Sequence, residues 1–334
     1  MWIGDGARVP RGALAAAVAV AVCAVVAAAA VTLPHAPGGA AAPDRAAREP
    51  AARQAALAPP EYLADTCPDP EASLRPNGLD GDAVARIKKA GKLVAGVDQN
   101  SFRWGYRNPV DGRLEGFDIA LVRAIAKDIL GNENAVIFRA VPTSQRIPAL
   151  QEGRVDIVVR TMTINCKRLE EVAFSTAYFE AGQQVLAPVA ATEITGFDDS
   201  LKGRRVCTAA GSTGEAALRH EPHGSTPVTV PNQLDCLVRL QLGQVDAVVT
   251  DNALAAGQAA QDPSVRLVGK PFTREFYGVA MHKDASDLVR RVNQVLENYR
   301  AGGDGSEWMK AYAQYLRDDL PGVTAPPAPK YRDG

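Results

Sequence analysis

Gln151-Glu152-Gly153-Arg154-Val155-Asp156-Ile157-Val158-Val159 and Gln241-Leu242-Gly243-Gln244-Val245-Asp246-Ala247-Val248-Val249 follow one order. Each reads as the end of a helix, a glycine turn, and a Val-Asp pair opening a short apolar strand. The first runs on into Arg160-Thr161 and the second into Thr250-Asp251. Ahead of the first copy, 92–97 and 135–138 read as strands and 143–152 as a helix. Between the first two, Gly116-Phe117-Asp118 leads into Ile119, Val122, Ile125, Ala126 and Ile129. That spacing is one helical face, with Asp118 expected as its N-cap. Ahead of the second copy come a strand at 205–208, a helix opened by Gly211-Ser212-Thr213, a strand at 228–230 and a helix at 233–242. Alternation of this kind predicts an α/β fold with a mainly parallel sheet. Its recurrence predicts two similar α/β lobes.

Ligands of open α/β sheets bind beyond the carboxyl ends of the strands. Those ends offer a cation in Arg160-Thr161 and an anion in Thr250-Asp251. A zwitterion held between the lobes satisfies both; a surface salt bridge is the plainer alternative. Arg160, Thr161, Thr163 and Arg168 lie together just past a strand. Arginine presents two parallel donors to a carboxylate. The turn Gly211-Ser212-Thr213 adds N–H groups at a helix start, a natural anion site. An ammonium needs acceptors, for which Asp251 is the first candidate and Asp98, past strand 93–97, the second. Asp156 and Asp246 stand at the opposite ends of their strands and read as structural. Among Phe102, Trp104 and Tyr106, Trp104 is the first choice for an apolar wall.

The chain of 334 residues is long enough for two lobes and additional segments. Lys and Arg total 37 against 38 Asp and Glu, so there is no electrostatic footprint for nucleic acid. Four His and no Cys-x-x-Cys pair argue against zinc, and no cofactor is called for. Arg8 and Arg11 precede an uncharged stretch, so 1–33 reads as an export signal or membrane anchor. Cys23 raises lipidation, but Val22 precedes it where a lipoprotein signal wants Gly or Ala. Cleavage near 38–42 and an uncleaved anchor are the other options. Residues 34–60 read as a flexible linker and 321–334 as a loose tail. Cys67, Cys166, Cys207 and Cys236 form an even set that favours disulfides outside the cytoplasm. Three pairings exist. Cys67–Cys166 with Cys207–Cys236 is preferred, because the second bond staples one βαβ unit; buried free thiols are the alternative.

The chain resembles the polar amino-acid-binding proteins of ABC importers, the family 3 solute-binding proteins. The resemblance is carried by 92–97 with Asp98, by Gly116-Phe117-Asp118, and by Met162-Thr163-Ile164 with Arg168 followed by Phe174-Ser175. It implies a two-lobed periplasmic-binding-protein-like type II fold whose hinge has two crossovers. Lobe I is expected at 61–183 and 281–320 and lobe II at 184–280, with crossings near 184–187 and 276–281. Thr163, Arg168 and the Ser212-Thr213 turn would bind an α-carboxylate, and Asp251 an α-ammonium. There are departures. Asn165-Cys166-Lys167 replaces the usual Thr-Pro-Glu, and Phe102-Arg103-Trp104 replaces Pro-Pro-Phe. Arg160 stands at a usually small position, and Arg146 stands where many members have Leu. These changes resemble the glutamate/aspartate/glutamine-binding subgroup. The additional arginines suit a side-chain carboxylate, which ranks Glu and Asp above Gln and Asn. The expected protein is an exported monomer that delivers an amino acid to an ABC permease. A sensor reporting to a membrane or kinase partner is the alternative. An enzyme is set aside, because no nucleophile stands paired with a base.

Overall fold

Two five-stranded sheets share one topology. The computed structural model describes residues 67–332. In lobe I, β2 (Leu93–Val97) lies between β6 (Val136–Ala140) and β7 (Ile157–Val158), followed by β16 (Ala280–His282) and β8 (Val172–Phe174). In lobe II, β11 (Arg205–Ala209) lies between β12 (Thr226–Val230) and β13 (Ala247–Asp251), followed by β10 (Gln183–Pro188) and β14 (Val265–Val268). The two copies of the repeat supply the central strands, β7 and β13. Only β16 and β10 run against their neighbours. Parallel neighbours require a helical crossover. These two strands are instead entered directly from the other lobe, which reverses them.

The matched aspartates act alike. Asp156 accepts the N–H of Val94 at 2.9 Å, and Asp246 accepts the N–H of Arg205 at 2.7 Å. Each carboxylate pins the start of the neighbouring strand, as expected of structural residues.

The lobes are linked by β9 (Phe179–Ala181) and β15 (Glu275–Tyr277), paired antiparallel. The stretch 184–187 lies inside β10, within the sheet of lobe II, so the first crossing comes earlier in the chain than expected. A small sheet of β3 (Asn100–Ser101), β4 (Gly105–Arg107) and β5 (Leu114–Glu115) follows β2.

Helices α1 (Asp82–Ala90), α2 (Phe117–Leu130), α8 (Ser286–Arg300) and α9 (Glu307–Tyr315) bury one core of lobe I. A second core gathers Ala149 and Leu150 of α3 (Arg146–Gln151) against Val158 and Phe174. Asp118 is not the cap of α2. Gly116 takes that place with φ 129°, where a Cβ would stand 2.3 Å from the carbonyl oxygen of Trp104. Asp118 is left inside the first turn, aimed at the next loop.

Lobe II packs α5 (Thr213–His220), α6 (Gln233–Gln241) and α7 (Asn252–Gln261) about its sheet. Cys207–Cys236 ties β11 to α6, and Cys67–Cys166 ties the N-terminal segment to α4 (Cys166–Glu171), the preferred pairing in both cases.

The C-terminal segment is not loose through Arg332. β17 (Tyr331–Arg332) pairs in parallel with β1 (Ser73–Leu74), and Tyr331 donates to Glu297 at 2.8 Å. Lys330 bonds Asp69 and Glu71. An available strand edge and complementary charge hold a segment whose composition alone gives no reason to order. The expected export segment, the linker and 61–66 lie outside the described residues, as do 333–334. Among the described residues, no helix is long and apolar enough to cross a membrane.

Candidate functional site

A cavity of about 340 Å³, counting its open mouth, lies between the lobes at the carboxyl ends of β7 and β13. Of the residues expected there, Arg146, Arg160, Thr161, Thr163 and Arg168 line it from lobe I. Ser212, Thr213 and Asp251 line it from lobe II.

The lobe I wall is set by Asp118. Its Oδ2 accepts the N–H of Thr161 at 3.0 Å, and its Oδ1 accepts the Tyr178 hydroxyl at 2.8 Å. Thr161 sits at φ 41°, a left-handed conformation that turns the chain from β7 into the cavity. Burial pushes the Asp118 carboxyl up to about 7, against the opposing effect of these two donors. Asn165 caps α4 by accepting the N–H of Arg168 at 2.9 Å. The Asn that replaces the usual Thr at this point thus still serves as a helix cap.

The guanidiniums are buried and held. Arg168 donates to the carbonyl of Thr163 at 2.7 Å and across the cleft to that of Gly211 at 3.2 Å. Arg146 donates to the carbonyls of Thr143 at 2.9 Å and Gly211 at 3.3 Å. Burial, then the charges of Arg168 and Arg160, hold the Arg146 guanidinium well below its ordinary range. Arg160 donates to the Thr143 hydroxyl at 2.9 Å, and its Nη2 stands 2.9 Å from Asp98 Oδ2.

Two expected residues do not reach the cavity. The Asp98 carboxylate is taken up by Arg160, by the Ser101 hydroxyl at 2.8 Å and by the N–H groups of Gln99 and Asn100. It therefore neutralises Arg160 and is not placed to accept an ammonium. Trp104 is 1% exposed, edge-on to Phe117, Phe179 and Tyr277, with its indole N–H on the carbonyl of Ala253 at 3.1 Å. It is core, and the apolar lining of the cavity comes from Leu254 and Ala209.

The opposite pole is acidic. Gln183 donates to Asp251 at 2.6 Å and to the Thr213 hydroxyl at 3.0 Å. Glu275 accepts the hydroxyls of Thr163, at 2.5 Å, and Thr213, at 2.8 Å, on one oxygen. Burial and the nearby charge of Glu275 raise the Asp251 carboxyl well above the usual carboxylate range. Ser212 lines the cavity, but its hydroxyl caps α5 by accepting the N–H of Glu215 at 3.0 Å.

Thr143, Gln183, Gln233 and Thr250 also line the cavity and were not expected there. Thr250 could have been found, since it matches Arg160 in the repeat. Gln183, Gln233 and Glu275 carry no local signal, because strand pairing and helix placement bring them to the site from segments distant in the chain. Among the described residues no cluster of His, Cys, Asp or Glu is suited to a metal ion.

Opposed cationic and anionic walls, donated by two α/β lobes joined through paired crossing strands, define a two-lobed binding protein of the periplasmic type. The chain belongs to the bacterial extracellular solute-binding proteins, family 3, whose pattern matches residues 93–317. It is 38% identical over 238 residues to the ABC transporter glutamine-binding protein GlnH of Bacillus subtilis, covering 71% of this chain and 86% of that one. It is 28% identical over 250 residues to the glutamate-binding protein GluB of Corynebacterium efficiens, covering 72% and 82%. Among solved structures, an ancestral arginine-binding protein bound to glutamine matches with a TM-score of 0.63 at 36% identity, covering 68% of this chain and 98% of its own. A solute receptor for L-cysteine of Neisseria gonorrhoeae matches with a TM-score of 0.67 at 26% identity, covering 71% and 95%.

Proposed function

We propose that the protein captures a free polar amino acid outside the cytoplasm, as a monomer, and delivers it to an ABC permease. Glutamate and aspartate rank first, with glutamine and asparagine next. The observation that carries this reading is the opposition of Arg146, Arg160 and Arg168 to Asp251 across one buried cavity, with Glu275 bonded to its lining residues Thr163 and Thr213. The α-carboxylate goes to Arg168 and to the N–H groups of Thr163 and the Ser212-Thr213 turn, the Thr163 hydroxyl being given to Glu275. The α-ammonium goes to Asp251, and the side chain points toward Arg146 and Arg160. The set is divided between the lobes, so a ligand that bridges them favours the closed arrangement. Glutamine- and glutamate-binding relatives support the ligand class. Calorimetric titration with the twenty amino acids tests it: heat with glutamate or aspartate is expected, and no heat with any of them would overturn the reading.

A further inference from the structure

We propose that Gln233 is a specificity-determining residue which, with Nε of Arg160 from the opposite lobe, binds the terminal oxygen of the ligand's side chain. The inference rests on the amino-acid-binding reading and deepens it. Gln233 is 4% exposed and Arg160 3%, and both line the cavity. Nε2 of Gln233 and Nε of Arg160 have no hydrogen-bond partner within the protein. Buried donors without partners are rare in native proteins, because each forfeits its bonds to water.

These two orphans belong to one end of the site. The Thr143 N–H donates to the carbonyl of Pro231 at 3.3 Å, while the Thr143 hydroxyl accepts from Arg160 at 2.9 Å. Thr143 therefore brings the entry to α6, where Gln233 is the first helical residue, beside Arg160. The backbone of Gln233 is fixed there, since its main-chain carbonyl accepts from the Gln258 side chain at 3.1 Å.

The charge of Arg160 is met by Asp98 on its Nη2 edge, so what it offers at Nε is a directed donor rather than a free charge. Two unpartnered donors, one from each lobe and both lining the cavity, call for an acceptor at the end of the side chain: a carboxylate or an amide carbonyl. A cationic side chain carries donors only and leaves both of these donors unpartnered.

The test is calorimetric titration of the full chain and its Gln233→Leu and Gln233→Glu variants with glutamate, glutamine and arginine. Wild-type protein is expected to bind glutamate and glutamine and to reject arginine. Gln233→Leu should weaken both ligands at least tenfold. Gln233→Glu should weaken glutamate at least tenfold more than glutamine, because it sets a carboxylate against a carboxylate. Thermal melts without ligand identify any variant that fails to fold, in which case the shorter amide of Gln233→Asn provides the comparison, expected to be at least fivefold weaker for both. Affinities within twofold of wild type in the folded Leu or Asn variant, equal losses in the Glu variant, or arginine bound as tightly as glutamate would each overturn the proposal. Wild-type protein that binds no amino acid would overturn the underlying reading instead.

Discussion

The Thr163 hydroxyl donates to Oε2 of Glu275 at 2.5 Å, and the Thr213 hydroxyl reaches the same oxygen at 2.8 Å. A single carboxylate on the crossing strand β15 thus takes a hydroxyl from each lobe. Its charge also helps raise the Asp251 carboxyl, after burial the largest cause. A carboxyl raised in the folded state stabilises the fold below its ordinary value near 3.8, and that contribution is lost as pH rises through the raised value. Glu275→Gln keeps an acceptor for both hydroxyls and removes one cause of the rise. The variant is expected to gain stability relative to wild type as pH climbs from about 4 toward neutrality. Urea melts at pH 4 and pH 8 measure this; a difference that does not change with pH would uncouple the two acids.

Asp118 gives a second pH dependence. Its carboxyl is raised to about 7, so its contribution is present at low pH and lost as pH rises to about 7. The stability of wild type relative to Asp118→Asn should fall by up to about 1.4 kcal/mol per pH unit between its unfolded and folded values, then level off. Urea melts from pH 4 to pH 8.5 follow the curve. A flat difference would mean that Asp118 is ionised throughout.

Arg168→Ala removes a buried donor that spans the lobes through Thr163 and Gly211. The expected loss of amino-acid affinity is about 2–5 kcal/mol. Calorimetry reads it, and unchanged affinity would put the carboxylate elsewhere in the cavity.

Gly211 serves two purposes at once. Its carbonyl accepts from Arg146 and Arg168, and its φ of 76° is the left-handed region. A Cβ there would lie 2.9 Å from Cα of Ser144, in the other lobe. Gly211→Ala should cost about 1–2 kcal/mol from backbone conformation alone. The clash with Ser144 falls on the closed arrangement, so affinity should drop at least tenfold while melting shifts by only about 2–8 °C. Affinity and melting that fall in proportion would show a folding defect instead.

The bond Cys207–Cys236 closes a loop of 29 residues between β11 and α6. Replacing both cysteines with serine should lower stability by about 3–4 kcal/mol on chain-entropy grounds, read from urea melts. A loss under about 1 kcal/mol would show that β11 and α6 hold together without it.

Local order carried much of this protein in its sequence. Helix end, glycine turn and Val-Asp strand recur at 151–159 and 241–249 because each is a short-range pattern of burial and turn chemistry. The repeat set the α/β class, the two lobes, and the strand ends where Arg160, Thr161 and Asp251 stand at the cavity. Arg146, Thr163, Arg168 and the Ser212-Thr213 turn were legible through the family resemblance. Tertiary structure alone decided the rest. Asp98 and Arg160 are far apart in the chain, and their pairing removed one from the site and spent the charge of the other. Trp104 went to the core because three aromatic rings from other segments enclose it. The C-terminal segment ordered because β1 offered it an edge. Gln183 joined the site through the pairing of β10 with β13, Gln233 through the placing of α6, and Glu275 through the crossing strand β15; periodicity and spacing describe a residue's neighbours along the chain, not the partners that folding brings to it from distant segments.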